Sequence, residues 1–183
     1  MLIVAITGMP GAGKSTAAMA LEARGFKRIV MGDAIREETR RRGLIPDEET
    51  TAKVMLDLRE KYGPGAVAEV CLRTLKALKE DVVIVDGIRS FAEVEVFARE
   101  GRVKLLAIHA SRNRRFKLLT DRGRSDAPTT RSGFDERDKR ELSVGVGNAV
   151  ALADESLSNE HSMVEDLERR AVELVEWWVS TTA

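Results

Sequence analysis

A three-layer α/β domain built on a five-stranded, mostly parallel sheet is predicted by two observations. Short aliphatic runs end in Gly, Asp or His, and stretches of helical spacing lie between them. The runs are continuous rather than alternating, as expected of strands covered by helices on both faces. A chain of 183 residues fits one such domain, 1–183, and at this size about 70% of the unfolded surface is buried on folding.

The first strand is Leu2 to Ile6, bounded by Thr7-Gly8. The next runs are Arg28 to Met31 before Gly32-Asp33, Val82 to Val85 before Asp86-Gly87, and Val103 to Ile108 before His109-Ala110. A fifth strand is placed at Glu155 to Ser158, where β composition is poor. Helical spacing covers Lys14–Arg24, Ala34–Arg42, Glu48–Lys61, Ala66–Lys79, Ser90–Arg99, Arg112–Arg122 and Met163–Val179, with Ser90 and Ser162 as N-caps. In the last of these, Leu167, Val172, Leu174, Val175, Trp177 and Trp178 read as a packing stripe with one indole left over for an oligomer contact.

Two segments interrupt the alternation. Residues 43–79 place two helices between the second and third strands, punctuated by Gly63-Pro64-Gly65; residues 121–141 are polar, rich in arginine, and carry turn residues at Asp126-Ala127-Pro128. Insertions of this kind carry flaps and lids in α/β enzymes.

Gly8-Met9-Pro10-Gly11-Ala12-Gly13-Lys14-Ser15 follows the first strand and opens the first helix. This is the phosphate-binding P-loop in its confirming context. The glycines let backbone amides turn inward, and the helix start adds its positive dipole end. Residues Gly8 to Thr16 are therefore expected to cradle ATP. Lys14 is expected to reach the β- and γ-phosphates, and Ser15 to offer a hard oxygen to magnesium.

Asp86 is expected at the carboxyl edge of the sheet, beside the P-loop if its strand neighbours the first, where a carboxylate can hold Mg²⁺ directly or through water. Asp33 is read two ways, as N-cap of the following helix or as the group that orders and deprotonates an acceptor hydroxyl. Phosphoryl transfer also needs cations on the spreading charge. Candidates are Arg36, one turn after Asp33; Arg89, three residues after Asp86; and Arg122 with Arg124 at the start of the polar insertion. Arg137 and Arg140 sit among acids at helical spacing, a salt-bridged face from which one of the two can turn inward.

Composition removes other classes. Lysine plus arginine equal aspartate plus glutamate, 30 each, so no global field draws the chain to nucleic acid, although a local basic surface stays open. The one cysteine, Cys71, has no intramolecular partner and reads as a small buried helix residue. His109 and His161 lack metal-ligand spacing with it. No apolar run reaches the about 18 to 20 residues of a membrane span, and no signal core precedes the first strand, which predicts a cytoplasmic protein without a membrane partner.

With Thr7 to Ser15, Gly32-Asp33-x-x-Arg36, Asp86 to Ser90 and Glu141-Leu142-x-x-Gly145-x-Gly147-Asn148 in hand, the chain resembles the nucleoside monophosphate kinases, adenylate kinase above all. It looks closest to an archaeal adenylate-kinase-related group that is also similar to dephospho-CoA kinase. The resemblance implies a P-loop NTPase fold and an ATP- and Mg²⁺-dependent kinase acting on an AMP-like or dephospho-CoA-like acceptor. It implies that Arg36 and Arg89 hold the acceptor phosphate, that residues 43–79 form the acceptor-binding flap and 121–141 a short lid, and that Asp33 is a candidate base. Asp86-Gly87-Ile88-Arg89 is one residue shorter than the adenylate kinase segment and lacks its proline. Readings from other classes are a nucleotide-dependent switch or assembly ATPase acting on RNA or protein, and a nucleotide sensor without turnover.

Overall fold

A computed structural model describes residues 1–123 and 130–182, apart from the side chains of Glu48 and Thr182. Chain order is β1 (Leu2–Thr7), α1 (Lys14–Ala23), β2 (Lys27–Val30), α2 (Met31–Arg41), α3 (Glu48–Tyr62), α4 (Ala66–Ala77), β3 (Val82–Ile88) and α5 (Phe91–Phe97). Then come β4 (Arg102–His109), α6 (Arg112–Asp121), α7 (Arg131–Val144), α8 (Val146–Ala151), β5 (Glu155–Ser158) and α9 (Val164–Thr182). The strands form one sheet in the order β2-β3-β1-β4-β5, and every pairing is parallel.

The two-residue period of the strands divides the core in two. Ile3, Ala5, Val83, Val85 and Leu105 face one layer with Phe97 of α5 and Cys71 of α4. Val4, Ile6, Ile84, Leu106 and Ile108 face the other with Ala17 and Leu21 of α1 and Trp178 of α9. Adjacent strands β1 and β3 thus send their following helices to opposite faces. That divergence opens a crevice at their carboxyl ends, where ligands bind in sheets of this kind.

β5 forms despite its composition because backbone pairing supports it. Glu155 to Ser158 run in register with Leu106 to His109, and both ends are tied: Asp154 Oδ2 accepts from Leu105 N at 2.7 Å, and Asn159 N donates to His109 O at 2.7 Å. As an edge strand it buries little, so an aliphatic sequence is not demanded of it.

Two local expectations are corrected. α2 begins at Met31, directly after β2, with Val30 at the cap position, so Asp33 lies in its first turn rather than capping it. Ser162 does not cap α9, which starts at Val164; its hydroxyl donates to Ser158 O and accepts from Arg170 Nη2 at 2.7 Å. Of the two indoles of the C-terminal stripe, Trp178 is buried and Trp177 is the one left exposed. Ser90 does cap α5, in a reciprocal box with Glu93.

In the segment 43–79, α4 is built into the core through Val67, Cys71, Leu72 and Leu75, whereas α3 lies over α2 and α4 and buries Val54 and Leu58. Asp47 caps α3 by accepting from Thr50 N at 2.7 Å.

Candidate active site

The P-loop runs from the end of β1 into α1. Gly8, Gly11 and Gly13 all take positive φ. A Cβ at Gly8 would stand 2.3 Å from the Ile108 carbonyl oxygen, and one at Gly13 would stand 2.7 Å from Asn159 Nδ2. Glycine is therefore required by conformation and by space at both positions. α1 begins after Gly13 without a side-chain cap, which leaves its first amides for an anion. The loop is braced by two distant side chains: Asn159 Nδ2 donates to Ala12 O at 2.9 Å, and Arg115 Nη1 donates to Pro10 O at 3.1 Å.

Lys14 is partly buried and donates to Gly8 O at 2.7 Å and Met9 O at 3.1 Å. Its pKa is pushed down from 10.5 to about 8, first by burial and next by the charge of Arg89; Glu141 and Asp86 act in the opposite sense, and Arg137 adds to the lowering. Lys14, Asp86, Arg89, Arg137 and Glu141 thus share one field, although they come from three separate segments.

Asp86 sits on β3 beside β1, opposite Ile6 and one residue before Gly87, whose positive φ accompanies a register shift against Ile6 and Thr7. Its side chain points to the face that α1 covers. There Arg28 of β2, unmarked by any motif, donates through Nη2 to Asp86 Oδ2 at 2.6 Å, and both side chains are nearly enclosed. Arg89 follows β3 and donates through Nη1 to Glu141 Oε1 at 2.8 Å. Arg36 pairs with Asp33 one turn away on α2, and both remain exposed.

Arg122 is placed elsewhere. With Gly13, Ser15, Arg114, Asn159 and Val164 it lines a cavity of about 250 Å³ on the α1 side of the P-loop. Arg124 lies outside the described residues. α7, within the arginine-rich segment, is fastened to the loop: Arg115 is buried, holds Asp138 through two bonds of 2.8 and 2.6 Å, and stacks over Phe134 at 5.0 Å. Arg112 pairs with Asp135 on the same helix.

Oxygens suited to a hard cation are present at Ser15, beside the loop amides, and at Asp86. Among the described residues no three His, Cys, Asp or Glu side chains cluster as a metal cage. That donor set fits magnesium, which keeps several waters and takes one or two protein oxygens together with phosphates.

The residues that sequence reasoning missed are Arg28, Arg59, Glu93 and Arg115, all charged groups enclosed against one another. Nothing in local spacing marks a buried arginine among so many exposed ones. Glu141 carried a signal in the Glu141–Asn148 motif, whose Gly145 packs against Ser90.

A glycine-tight loop between a central parallel strand and a helix, with carboxylate and guanidinium on the neighbouring strand's end, defines a P-loop NTPase of kinase-like fold. Solved structures of that fold superpose on it: a Thermus thermophilus protein, TT1252, with TM-score 0.69 and 21% identity over 96% of each chain, and the shikimate kinase of Bacteroides thetaiotaomicron with TM-score 0.60 and 17% identity over 96% of this chain and 98% of that one. The AAA domain family matches residues 7–132. The UPF0200 protein of Thermococcus onnurineus is 42% identical, covering 96% of this chain and 97% of its own. The chain belongs to the UPF0200 family. Among the described residues no helix is long and apolar enough to cross a membrane.

Proposed function

We propose that the protein is an ATP-dependent phosphotransferase that moves the γ-phosphoryl group to a nucleotide or nucleotide-containing small molecule. The observation that carries this reading is the field shared by Lys14 and Arg89. A P-loop lysine handles the donor phosphates, and a guanidinium close enough to depress its pKa provides for a second anion beside them. A simple nucleotide binder has no need of that second cation.

In this reading the loop amides and Lys14 hold the β- and γ-phosphates, and the donor nucleoside occupies the cavity lined by Arg114, Arg122 and Asn159. Ser15 and Asp86 hold Mg²⁺, which supplies charge neutralisation across the phosphates. Arg28 orients Asp86 through its hydrogen bond to Oδ2. Arg36 and Arg89 receive the acceptor's phosphate by exchanging their carboxylate partners, Asp33 and Glu141, for it. Asp33, released from Arg36, is then available to order the attacking oxygen. α3 forms the acceptor flap and α7 the lid.

A coupled assay of ADP formation with ATP, Mg²⁺ and a panel of nucleoside monophosphates and dephospho-CoA tests the reading. One acceptor is expected to raise ADP formation well above the rate with water alone. Arg89→Met is expected to cut that stimulated rate by about 10³-fold or more, on the scale of a clamp arginine. No stimulation by any acceptor would sink the kinase reading and favour a hydrolytic switch.

A further inference from the structure

Arg59 lies on the inner side of α3, its side chain only 10% exposed. Nη2 donates to Glu93 Oε1 at 2.8 Å, but Nε and Nη1 are enclosed and have no hydrogen-bond partner. The hydroxyl of Thr51, two turns earlier on the same helix, is likewise enclosed and unbonded. A buried donor left unpaired is costly, and more so on a charged group, so such a group calls for a partner supplied from outside the fold.

The position of Arg59 says what kind of partner. Glu93 is fully buried, and its other oxygen accepts from Arg89 N at 2.7 Å and Ser90 N at 3.3 Å. One carboxylate therefore joins the Arg59 guanidinium to the backbone of Arg89, at the corner where β3 enters α5. Arg36 and Arg89 meet their carboxylates in partly exposed pairs that an incoming anion can open. Arg59 cannot leave Glu93 without stranding a buried charge, so it is held in place with two nitrogens to spare. A guanidinium fixed in this way is preorganised for an oxyanion, since orientation is settled before the ligand arrives.

We propose that Arg59 is a third acceptor-binding residue, which donates from Nε and Nη1 to an oxyanion, phosphate monoester or carboxylate, of the small molecule that receives the phosphoryl group. This rests on the kinase reading above. It adds that the acceptor is gripped from α3 as well as from α2 and the β3 corner, so that flap closure and acceptor binding are one event.

The test observes the guanidinium directly. Arginine ¹⁵Nε–¹H spectra of the full chain, saturated with Mg²⁺ and ADP, are recorded while adenosine monophosphate, dephospho-CoA or inorganic phosphate is added; Arg36→Lys, Arg59→Lys and Arg89→Lys assign the three signals. The expected result is that a probe moving Arg36 or Arg89 also moves Arg59. Arg59→Lys should lower the ratio of acceptor affinity to ADP affinity by about 10- to 100-fold, the loss of a hydrogen bond to a charged group. Movement of Arg36 and Arg89 with Arg59 unmoved overturns the assignment of Arg59 and leaves the kinase reading standing. Silence at all three arginines overturns both. If Arg59→Lys fails to fold, Arg59→Gln supplies the assignment instead, and the wild-type titration decides.

Discussion

Arg89 Nη1 and Glu141 Oε1 lie 2.8 Å apart and join segments 52 residues apart in the chain. Gly145 packs its backbone against Ser90 beside them, so the Asp86–Ser90 and Glu141–Asn148 motifs form one structural unit. The pair also bears on Lys14 with opposite signs: Arg89 lowers its pKa and Glu141 raises it. This yields a prediction that needs no knowledge of the acceptor. Arg89→Met moves the pH above which ATP binding weakens upward, and Glu141→Gln moves it downward. Titrating ATP affinity against pH for both variants checks the two directions; a shared direction would sink the electrostatic account.

Lys14 itself sets the pH dependence of the wild type. Its folded pKa of about 8 lies below the ordinary 10.5, so the lysine is charged below pH 8 and neutral well above it. ATP affinity is expected to be flat below about pH 7.5 and to fall by up to about tenfold per pH unit above 8, because binding must restore the proton. Calorimetry in buffers of different ionisation enthalpy should show proton uptake at pH 9 and little at pH 6.5. The sign for folding is opposite. Between pH 8 and 10.5 the unfolded lysine still binds a proton that the folded one has lost, so this group's contribution to stability rises with pH.

Arg115 ties α7 to the P-loop through Asp138 and the Pro10 carbonyl, with both charges largely enclosed. Arg115→Met leaves Asp138 without its partner and is expected to cost about 3 to 5 kcal/mol of stability by denaturant unfolding. Replacing both residues with apolar ones of similar size is expected to recover much of that loss. A single substitution with unchanged stability would show that the pair contributes nothing to holding α7.

Gly13→Ala puts a methyl 2.7 Å from Asn159 Nδ2 at a backbone φ of 109°. The expected outcome is a stability loss of about 1 to 3 kcal/mol, as for a strained left-handed position, with loss of ATP binding. Thermal unfolding with and without ATP separates the two effects.

Cys71 is buried in α4, and burial pushes its thiol up to about 12. It is expected to resist alkylation in the native protein at pH 8 and to react with one equivalent of reagent once the chain is unfolded. Rapid native labelling would mean that α4 opens away from the core.

The sequence by itself determined the nucleotide end of this protein. Gly8 to Ser15 must follow a strand and open a helix, and a loop so rich in glycine has few other conformations, so local chemistry was enough. It also determined the layering, because the aliphatic runs at β1, β3 and β4 are legible without knowing their neighbours. Tertiary structure alone decided which charges meet. Arg28 with Asp86, Arg59 with Glu93 and Arg115 with Asp138 are pairs 58, 34 and 23 residues apart. An arginine that will be buried looks the same along the chain as one that will be solvated. The same holds for Arg122: its place at the end of α6 is local, but the cavity it lines beside the P-loop is set by how β4 and β5 order themselves beyond β1. Burial is a property of the packed sheet and its helices, and it is burial that turns a common charged residue into one with a role.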